Sequence, residues 1–493
     1  MKKLNELIDL KENIDLEIDN LNDDSRNIKE KGLFFAIKGL TNDGNKYIES
    51  AIKNGAVAIV TEEDIEASIP VIKVNDVQMT YNNALNIFYN KPLDKIKIIS
   101  VTGTDGKTTV AEIIYQLLNN YTKIGYIGTN GIKYKKFKMD NPHTTPLPDV
   151  LFSALNEFVN LGCEYVVMES SSERLATKKL DKINFDVSIF TNLSRDHLDT
   201  HKTMENYALA KAISFEQLKP DGLGIVNYDD SYKEYFITKC NGKCLTYSLK
   251  DSNADIYASH ILVRYNRLEF DIDGIYGHHH VISHISGEFN VYNLMSAILC
   301  LKHLGYDTKS IIKNIALLKP IDARQLLIKT NFGFNIMIDY AHTANAFKNL
   351  YNYMKNTFSG RCIVVTGAPG GRDERRMIEM ANYCTETVDY CYFTIDDARD
   401  SDPNYLLNLM VSETKKDNYE LIIDRDEAIK KALMNAKKGD LVFVLGKGLE
   451  KYQLTKGKNV ARPNDVESCK KVLKYLEKCN EKNGSLSNSV GRQ

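Results

Sequence analysis

One loop in the sequence has residue types suited to holding phosphate groups. Its members are Gly103, Thr104, Asp105, Gly106, Lys107, Thr108 and Thr109. The glycines let backbone N–H groups approach phosphate oxygens, the lysine adds positive charge, and a hydroxyl at the start of a helix can bind Mg²⁺. A general P-loop carries glycine where this chain has Val101, so the shorter GTxGKT form indicates a narrower set of ATP-dependent enzymes. The alternative is an ordinary glycine turn with a solvated lysine.

Three further side chains could contribute to a metal site. Glu169 follows the strand-like residues 165–168, where a carboxylate either completes a Mg²⁺ shell or lies in solvent. His197 follows the strand-like residues 187–190, and a single histidine is more often structural than a ligand. Lys211 lies in a helical stretch, where a lysine is usually a surface residue.

Two later groups are candidates for nucleotide binding. Asn290 and Asn293 open a helical stretch, so their amides could read an adenine edge or cap the helix. Arg324 could neutralise a transferring phosphate, and Asp339 after a strand could hold a ribose or a metal-bound water. The alternative for the second group is an ion pair between domains.

The elements that must position these residues alternate between strand and helix. Apolar runs at 32–39 and 56–62 indicate a small α/β unit, and the strand-like run 96–101 opens a second block. After the glycine loop, Val110, Ile113, Ile114 and Leu117 recur at helical spacing. A third block begins near residue 320, with strand-like runs at 336–338, 362–365, 390–394 and 441–445. The fold class is therefore α/β, with ligands expected at the carboxyl ends of mostly parallel strands.

Length, charge and cysteine content narrow the class of protein. At roughly 150 residues per domain, 493 residues correspond to about three domains. Lys+Arg 64 against Asp+Glu 65 leaves no basic excess for a nucleic-acid partner. Nine scattered cysteines fit a reducing compartment. With no apolar run of about 18 residues and no signal-peptide core at the start, we expect a cytoplasmic protein without membrane insertion.

Taken together, the motifs resemble the Mur ligase family, most closely its members that add the third amino acid. They are DSR at 24–26, GTDGKTT at 103–109, HTTP at 143–146, MESSS at 168–172, TNLSRDHLD at 191–199, YALAK at 207–211, FNVYN at 289–293, DYAHT at 339–343, GGRDERR at 370–376, DDAR at 396–399 and GKGLE at 446–450. The resemblance spans about residues 20 to 475. It implies a UDP-sugar-binding N-terminal domain at 1–93, a central ATP-binding P-loop sheet at 94–319 and a C-terminal Rossmann-like amino-acid-binding domain at 320–480. A disordered tail is expected at 481–493.

The resemblance also implies a reaction and a set of site residues. A carboxylate of UDP-N-acetylmuramoyl-L-alanyl-D-glutamate would attack the γ-phosphate of ATP, and a free diamino acid would displace phosphate from the acyl phosphate. The implied catalytic residues are Lys107, Glu169, His197, Lys211 and Arg324. The implied Mg²⁺ ligands are Thr108, Glu169, His197 and a carbamylated Lys211, and the implied ATP contacts are the 103–109 loop, Asn290, Asn293, Arg324 and Asp339. The implied substrate contacts are Ser25, Leu40, Thr41, Asn42, Thr144, Thr145, Ser171, Thr177, Lys179, Arg372, Asp396, Asp397, Ala398, Arg399, Gly446 and Glu450.

Departures from the family pattern leave the amino acid open. Diaminopimelate enzymes of the family carry DNPR where this chain has DDAR. Arg399 is retained and suits the distal carboxylate of diaminopimelate, which lysine lacks. Asp397 adds negative charge and Ala398 loosens the loop, which is compatible with lysine or ornithine. Leu449 stands where the family has a histidine, although Glu450 could still receive an ammonium. Diaminopimelate is the favoured acceptor.

Two other functions compete with this interpretation. The altered acceptor motifs fit a paralogue that uses the same acyl-phosphate chemistry on another acceptor. An inactive nucleotide-binding homologue is the third possibility, but retention of Lys107, Glu169, His197 and Lys211 argues against it. We expect a monomer.

Overall fold

The computed structural model describes residues 1–10, 14–39, 42–139, 141, 143–264, 266–322, 324–355 and 358–490, and it describes side chains up to residue 479. The N-terminal elements are β1 (Lys2–Lys3), α1 (Leu4–Leu7), β2 (Glu17–Ile18), β3 (Asn20–Asn22), β4 (Gly32–Phe35), α2 (Ile48–Lys53), β5 (Ala56–Thr61), β6 (Val71–Lys73) and α3 (Val77–Phe88). Short 3₁₀ helices cover Ser25–Asn27, Gly44–Tyr47 and Pro92–Asp94. Strands β3 to β6 form a four-stranded parallel sheet in chain order.

The central elements begin with the strand, loop and helix predicted around residue 103. They are β7 (Lys97–Thr102), α4 (Lys107–Leu118), β8 (Ile124–Gly128), β9 (Gly131–Tyr134), β10 (Phe137–Met139), α5 (Pro148–Asn160), β11 (Tyr165–Glu169), α6 (Ser172–Ala176), β12 (Phe185–Phe190), α7 (Leu198–His201), α8 (Met204–Glu216), β13 (Leu218–Asn227), α9 (Lys233–Thr238), β14 (Lys243–Ser248), β15 (Ile256–Arg264), β16 (Arg267–Gly274), β17 (His279–Ser283), α10 (Phe289–His303) and α11 (Thr308–Ile315). The predicted helical face is confirmed, since Val110, Ile113, Ile114 and Leu117 are all buried on α4.

The C-terminal elements repeat the alternation. They are β18 (Leu326–Lys329), β19 (Asn335–Asp339), α12 (Ala344–Met354), β20 (Cys362–Ala368), α13 (Glu374–Thr387), β21 (Tyr390–Ile395), α14 (Pro403–Met410), β22 (Tyr419–Leu421), α15 (Arg425–Asn435), β23 (Leu441–Leu445), β24 (Tyr452–Thr455), β25 (Lys458–Ala461) and α16 (Asp465–Val490). The segment from 481, expected to be disordered, continues α16 to Val490. It contains no proline, the residue that most strongly ends a helix.

Parallel strands bring the predicted site residues to the carboxyl ends of two sheets. In the central sheet the order is β10-β9-β8-β11-β7-β12-β13-β14, and β8, β11, β7, β12, β13 and β14 are parallel. In the C-terminal sheet the order is β18-β19-β23-β20-β21-β22, antiparallel only at β18. The predicted α/β class is confirmed, and buried apolar strands such as β11 and β23 explain it, because a parallel sheet is covered on both faces.

The chain divides into two compact units. The first comprises residues 1–193, 208–257 and 294–311, and the second comprises 194–207, 258–293 and 312–493. Across the described part of the chain, none of the helices is both long and apolar enough to traverse a lipid bilayer.

Candidate active site

The loop between β7 and α4 has a backbone that only glycine adopts easily. Gly103 and Gly106 have φ values of +145° and +85°, in the region that side chains disfavour. A Cβ on Gly103 would lie 1.9 Å from Oγ1 of Thr191. The loop is tied to the segment after β12, since the backbone N–H of Thr104 donates to the carbonyl of Asn192 at 2.8 Å. The amides that open α4 are therefore held in a fixed arrangement suited to phosphate oxygens.

Two of the predicted lysines meet at this loop. Nζ of Lys107 donates to the carbonyls of Gly103 and Thr104, both at 2.8 Å. Nζ of Lys211, which is 1 % exposed on α8, donates to the same Gly103 carbonyl at 2.7 Å. The sequence suggested a surface position for Lys211, so its burial beside the loop favours the site interpretation. Two amines beside one turn concentrate positive charge where the phosphates of a nucleotide would bind.

The Glu169 carboxylate lies beside the same loop at the end of β11. The residue is fully buried, and its Oε2 accepts from Oγ1 of Thr108 at 2.9 Å. Its Oε1 accepts from the hydroxyl of Tyr126 and from the backbone N–H of Thr129, both at 2.8 Å. A Cβ on Gly128 would lie 2.2 Å from Oε1, so the space around the carboxylate requires glycine there. A buried carboxylate beside a hydroxyl is an oxygen donor set that fits Mg²⁺.

Several predicted substrate contacts collect around the end of β11. Oγ1 of Thr145 donates to the carbonyl of Glu169 at 2.7 Å and accepts from the backbone N–H of Ser171 at 2.9 Å. Oγ1 of Thr144 lies 3.3 Å from Oγ1 of Thr129, which itself contacts Glu169. These polar groups, predicted to contact the substrate, therefore lie beside the candidate metal ligand.

The remaining predicted UDP-sugar contacts lie elsewhere in the first unit or outside the description. Nζ of Lys179 lies 3.5 Å from Oδ2 of Asp23, two residues before Ser25. Oγ1 of Thr177 donates to a carbonyl within its own turn, and Asn42 is exposed. Leu40 and Thr41 lie outside the described residues.

In the second unit, His197 is held by a buried carboxylate. Asp196 is 2 % exposed and accepts from Nη1 of Arg376 at 2.6 Å and from the backbone N–H of His197 at 2.9 Å. Nε2 of His197 lies 3.3 Å and Nε2 of His342 lies 3.4 Å from the other oxygen, Oδ2. Burial disfavours the charged form, yet Arg376 and His197 hold the pKa of Asp196 well below its usual value. Asp196 therefore remains an anion that orients the histidine.

The predicted nucleotide contacts of the second unit are joined by Gln325, which the sequence analysis did not select. Oε1 of Gln325 accepts from Nδ2 of Asn290 at 3.1 Å, and its backbone N–H donates to Oδ2 of Asp339 at 2.7 Å. Asn293 donates to Oδ1 of Asn290 at 2.8 Å. The guanidinium carbon of Arg324 lies 4.9 Å from the ring centroid of Tyr340. Burial raises the pKa of Asp339, although Arg324 opposes the shift.

Asp396, a predicted contact of the incoming amino acid, is hydrogen-bonded by a buried arginine. Arg425 is 1 % exposed, and its Nη1 donates to Oδ1 of Asp396 at 2.8 Å. The same guanidinium donates to both carboxylate oxygens of Asp465, at 2.9 Å and 2.8 Å. A Cβ on Gly446 would lie 2.8 Å from Oδ2 of Asp396. This carboxylate thus fixes the end of the sheet through Arg425.

Asp397 and Glu450 share one buried lysine. Lys447 is 2 % exposed, and its Nζ donates to Oδ1 of Asp397 at 2.9 Å. It also pairs with Oε2 of Glu450, whose Oε1 accepts from the hydroxyl of Tyr340. Burial disfavours the ammonium, but Glu450 and Asp397 raise the pKa of Lys447. The additional negative charge of Asp397 is therefore neutralised within the protein.

The guanidinium of Arg399 has an N–H donor that no hydrogen bond to the described residues uses. The residue adopts φ +51°, and its Nη1 donates to the carbonyl of Gly371 at 3.2 Å. Its Nε is buried and has no hydrogen-bond partner among the described residues. Burial and the neighbouring Arg372 lower the pKa of Arg399. Ala398 is 3 % exposed and packs inward beside it. A carboxylate bound to Arg399 would relieve both the unpaired N–H and the repulsion between the two arginines.

Three family models match consecutive parts of the chain. They are the Mur ligase family catalytic domain at residues 17–99, the Mur ligase middle domain at 101–301 and the Mur ligase glutamate ligase domain at 323–448. The chain belongs to the Mur ligase family. As a member, it is an ATP-dependent ligase that joins a carboxylic acid to an amine.

This Mur ligase is similar to named relatives over nearly its full length. A UDP-N-acetylmuramoyl-L-alanyl-D-glutamate–2,6-diaminopimelate ligase from Caldanaerobacter subterraneus subsp. tengcongensis is 36% identical over 95% of this chain and 98% of the relative. A solved structure of a ligase with the same name is 27% identical, with a TM-score of 0.66, and the match covers 97% of this chain and 99% of that one. A MurF ligase from Thermotoga maritima in complex with ADP is 21% identical with a TM-score of 0.64, covering 93% and 98% of the two chains, and shows the same fold.

The structure of this Mur ligase brings some predicted residues together and adds others. Thr108, Glu169 and Lys211 surround the glycine loop in the first unit, and Asn290, Asn293 and Asp339 are linked in the second. The residues missed from the sequence are Tyr126, Asp196, Gln325, Arg376, Arg425 and Lys447. Asp196 and Arg376 lie within motifs that carried the resemblance, and their charge was the available signal. Tyr126 had no such signal, because a tyrosine in an apolar strand looks like ordinary core.

Proposed function

We propose that this ligase adds diaminopimelate to UDP-N-acetylmuramoyl-L-alanyl-D-glutamate during the synthesis of a peptidoglycan precursor, in the cytoplasm. The observation that carries the proposal is the buried Nε of Arg399, which lies near Arg372 and has no hydrogen-bond partner among the residues that the structure describes. A guanidinium in this setting binds a carboxylate of the substrate, because its N–H groups match both carboxylate oxygens. It repels an ammonium of the substrate, which carries the same charge. Diaminopimelate has a distal carboxylate, and lysine and ornithine do not. The names of the relatives agree with this choice.

The pairing of Asp397 removes the main argument for a basic acceptor. An unpaired aspartate in this loop would attract the side-chain ammonium of lysine. Here Oδ1 of Asp397 accepts from Nζ of Lys447 at 2.9 Å and from the backbone N–H of Leu454 at 2.8 Å. With its charge compensated, Asp397 supplies little attraction for a substrate cation. The net charge of the loop therefore favours an acceptor that carries a carboxylate.

The chemistry follows from the groups around the glycine loop. A carboxylate is a poor electrophile, so transfer of the γ-phosphoryl group of ATP to one of its oxygens creates a leaving group. The amine of the acceptor then attacks the carbonyl carbon, the C–O bond to phosphate breaks, and ADP and phosphate are released. Lys107, whose Nζ lies against the carbonyls of Gly103 and Thr104, offsets the repulsion between the substrate carboxylate and the phosphates.

We further propose that Thr108 and Glu169 hold Mg²⁺, as the paired hydroxyl and buried carboxylate support. The bound ion supplies charge neutralisation for phosphoryl transfer. His197 and a carbamylated Lys211 are proposed as the family's ligands of a second ion. Burial of Lys211 keeps its amine out of bulk water, and Asp196 orients the imidazole of His197. The domain division at 1–93, 94–319 and 320–480 is part of the same proposal.

One assay tests the function. Phosphate release from ATP is measured with UDP-N-acetylmuramoyl-L-alanyl-D-glutamate and, in parallel, with meso-diaminopimelate, L-lysine or L-ornithine. We expect turnover that depends on both the UDP substrate and diaminopimelate. Turnover with lysine or ornithine in preference to diaminopimelate contradicts the acceptor assignment. Tight ATP binding without turnover on any of the three contradicts the proposed reaction and favours a paralogue with another acceptor.

A further inference from the structure

The two oxygens of the Glu169 carboxylate have different surroundings. Oε1 is held by the hydroxyl of Tyr126 and the backbone N–H of Thr129, both at 2.8 Å. Oε2 accepts from Oγ1 of Thr108 at 2.9 Å and, more weakly, from Oγ1 of Thr129 at 3.3 Å. Tyr126 of β8 and Thr129, the residue just after this strand, thus anchor Oε1, while Oε2 faces the hydroxyl of Thr108 at the start of α4.

Tyr126 reaches Glu169 because the strands that carry them are neighbours. β8 and β11 are parallel and in register, with Tyr126 opposite Val167. Tyr126 is fully buried, and a phenylalanine would fill the same apolar space. The hydroxyl therefore has a role beyond packing, and its acceptor is the candidate Mg²⁺ ligand.

A lysine is placed directly over the ring of Tyr126. Lys133 is the cross-strand partner of Tyr126 in the antiparallel β8–β9 pair, and its Nζ lies 4.7 Å from the ring centroid. Oε1 of Glu112, itself buried on α4, accepts from this Nζ at 2.6 Å and fixes the ammonium. A cation over a phenol ring withdraws electron density from it, which makes the hydroxyl a stronger donor.

We propose that Tyr126, polarised by Lys133, is a positioning residue that directs Oε2 of Glu169 toward Mg²⁺. The inference rests on the proposed function, which assigns Mg²⁺ to Thr108 and Glu169. Hydrogen-bond partners behind a metal ligand fix its orientation, and losing one typically weakens metal binding about 10- to 100-fold. Thr129 also holds the Glu169 carboxylate, so we expect loss of the Tyr126 hydroxyl to weaken metal binding by about tenfold, the lower end of this range.

The test compares Tyr126→Phe with Tyr115→Phe. Tyr115 is a matched control because its ring lies 5.9 Å from that of Tyr126 and 5.5 Å from Nζ of Lys133, while its hydroxyl accepts from the backbone N–H of Lys135. Mn²⁺ binding to the protein–ADP complex is measured by electron paramagnetic resonance. We expect about tenfold weaker Mn²⁺ binding in Tyr126→Phe and none of this loss in Tyr115→Phe. Equal Mn²⁺ affinity in Tyr126→Phe and the unmodified protein overturns the proposal.

A kinetic measurement separates positioning from general damage. In Tyr126→Phe, the Mg²⁺ concentration for half-maximal kcat should rise, whereas KM for the UDP substrate at saturating Mg²⁺ should stay constant. A rise in KM for the UDP substrate with unchanged Mg²⁺ dependence overturns the positioning role. Glu169→Gln distinguishes the two levels of the argument. If Glu169→Gln leaves Mn²⁺ binding intact, the proposed metal site fails; if it weakens binding and Tyr126→Phe does not, only the positioning role fails.

The contribution of Lys133 is tested by a double-mutant cycle. Lys133→Met should weaken Mn²⁺ binding by a smaller factor than Tyr126→Phe, and should have no further effect in the Tyr126→Phe background. Equal losses in both backgrounds contradict polarisation through the ring. Because Lys133→Met leaves the Glu112 carboxylate without its ammonium, circular dichroism and binding of the UDP substrate verify the fold of each variant.

Discussion

The glycine loop at residues 103–109 is held through its backbone, which accepts from lysine and hydroxyl donors and donates to Asn192. The residues at 396–399 and 446–450, proposed to contact the incoming amino acid, are held instead by opposite charges. In the first, Thr104 is tied to Asn192 through main-chain groups. In the second, Arg425 binds Asp396, and Lys447 binds Asp397. A loop built from backbone depends on conformation, which glycines reveal in the sequence. A loop built from charge pairs depends on which charges cancel, and only the fold decides that.

The comparison predicts its largest effect at Arg425. Arg425→Met removes the cation that the buried carboxylates of Asp396 and Asp465 share and leaves Asp465 only its longer pair with Arg462, which should cost about 3 to 5 kcal/mol of stability. The midpoint of thermal unfolding measures the loss. Lys431→Met, on the same helix, removes one partner of the exposed pair with Glu420 and should change the midpoint little. Similar losses in both variants would show that the buried charges do not hold the acceptor loop.

At the glycine loop the expected loss is catalytic. Lys107→Ala removes an amine beside the phosphate positions and should lower kcat by about 100-fold or more, while binding of the UDP substrate is unchanged. Calorimetric titration with the UDP substrate and phosphate-release kinetics measure the two properties. Lys97→Ala serves as the control, because Lys97 lies at the start of β7, the strand that leads into the glycine loop. Equal loss of UDP-substrate binding and turnover in Lys107→Ala would contradict the role assigned to the loop.

Local signals explain what the sequence could predict. The Gly103 and Gly106 turn, the buried face of α4 and the strands β7, β11 and β23 follow from glycine placement and apolar periodicity within a few residues. The sequence alone therefore predicts the class of fold and the position of the phosphate loop.

Pairings between distant residues explain what the sequence could not predict. Lys447 lies 50 positions after Asp397, and Arg376 lies 180 positions after Asp196. No local pattern tells which of several charged residues will meet once the sheets form. For the same reason the sequence shows Asp397 only as an added negative charge and does not reveal its pairing with Lys447.

A variant at Arg399 tests whether this guanidinium binds the substrate, since Asp396 and Asp397 are already paired with other residues of the protein. Arg399→Ala should raise KM for diaminopimelate, because the distal carboxylate loses its guanidinium. The loss of binding free energy should equal that of a charged hydrogen bond, about 1.5 to 3 kcal/mol. Steady-state kinetics at saturating ATP measure it. KM for the UDP substrate is the internal control and should stay constant. An unchanged KM for diaminopimelate would remove the physical argument for that acceptor.

The smallest expected effect is at Asp397, and it sharpens the comparison most. Asp397→Asn keeps the shape of the side chain and an acceptor for Leu454, and Glu450 still neutralises Lys447. The ratio of kcat/KM for diaminopimelate to that for lysine should therefore change by less than about threefold, which corresponds to about 0.65 kcal/mol. Competition between the two amino acids in one reaction gives this ratio directly. A rise of tenfold or more, caused by loss of activity with lysine, would show that Asp397 attracts the lysine substrate although Lys447 is paired with it. The net charge of the residues at 396–399 would then influence substrate choice in addition to their pairing.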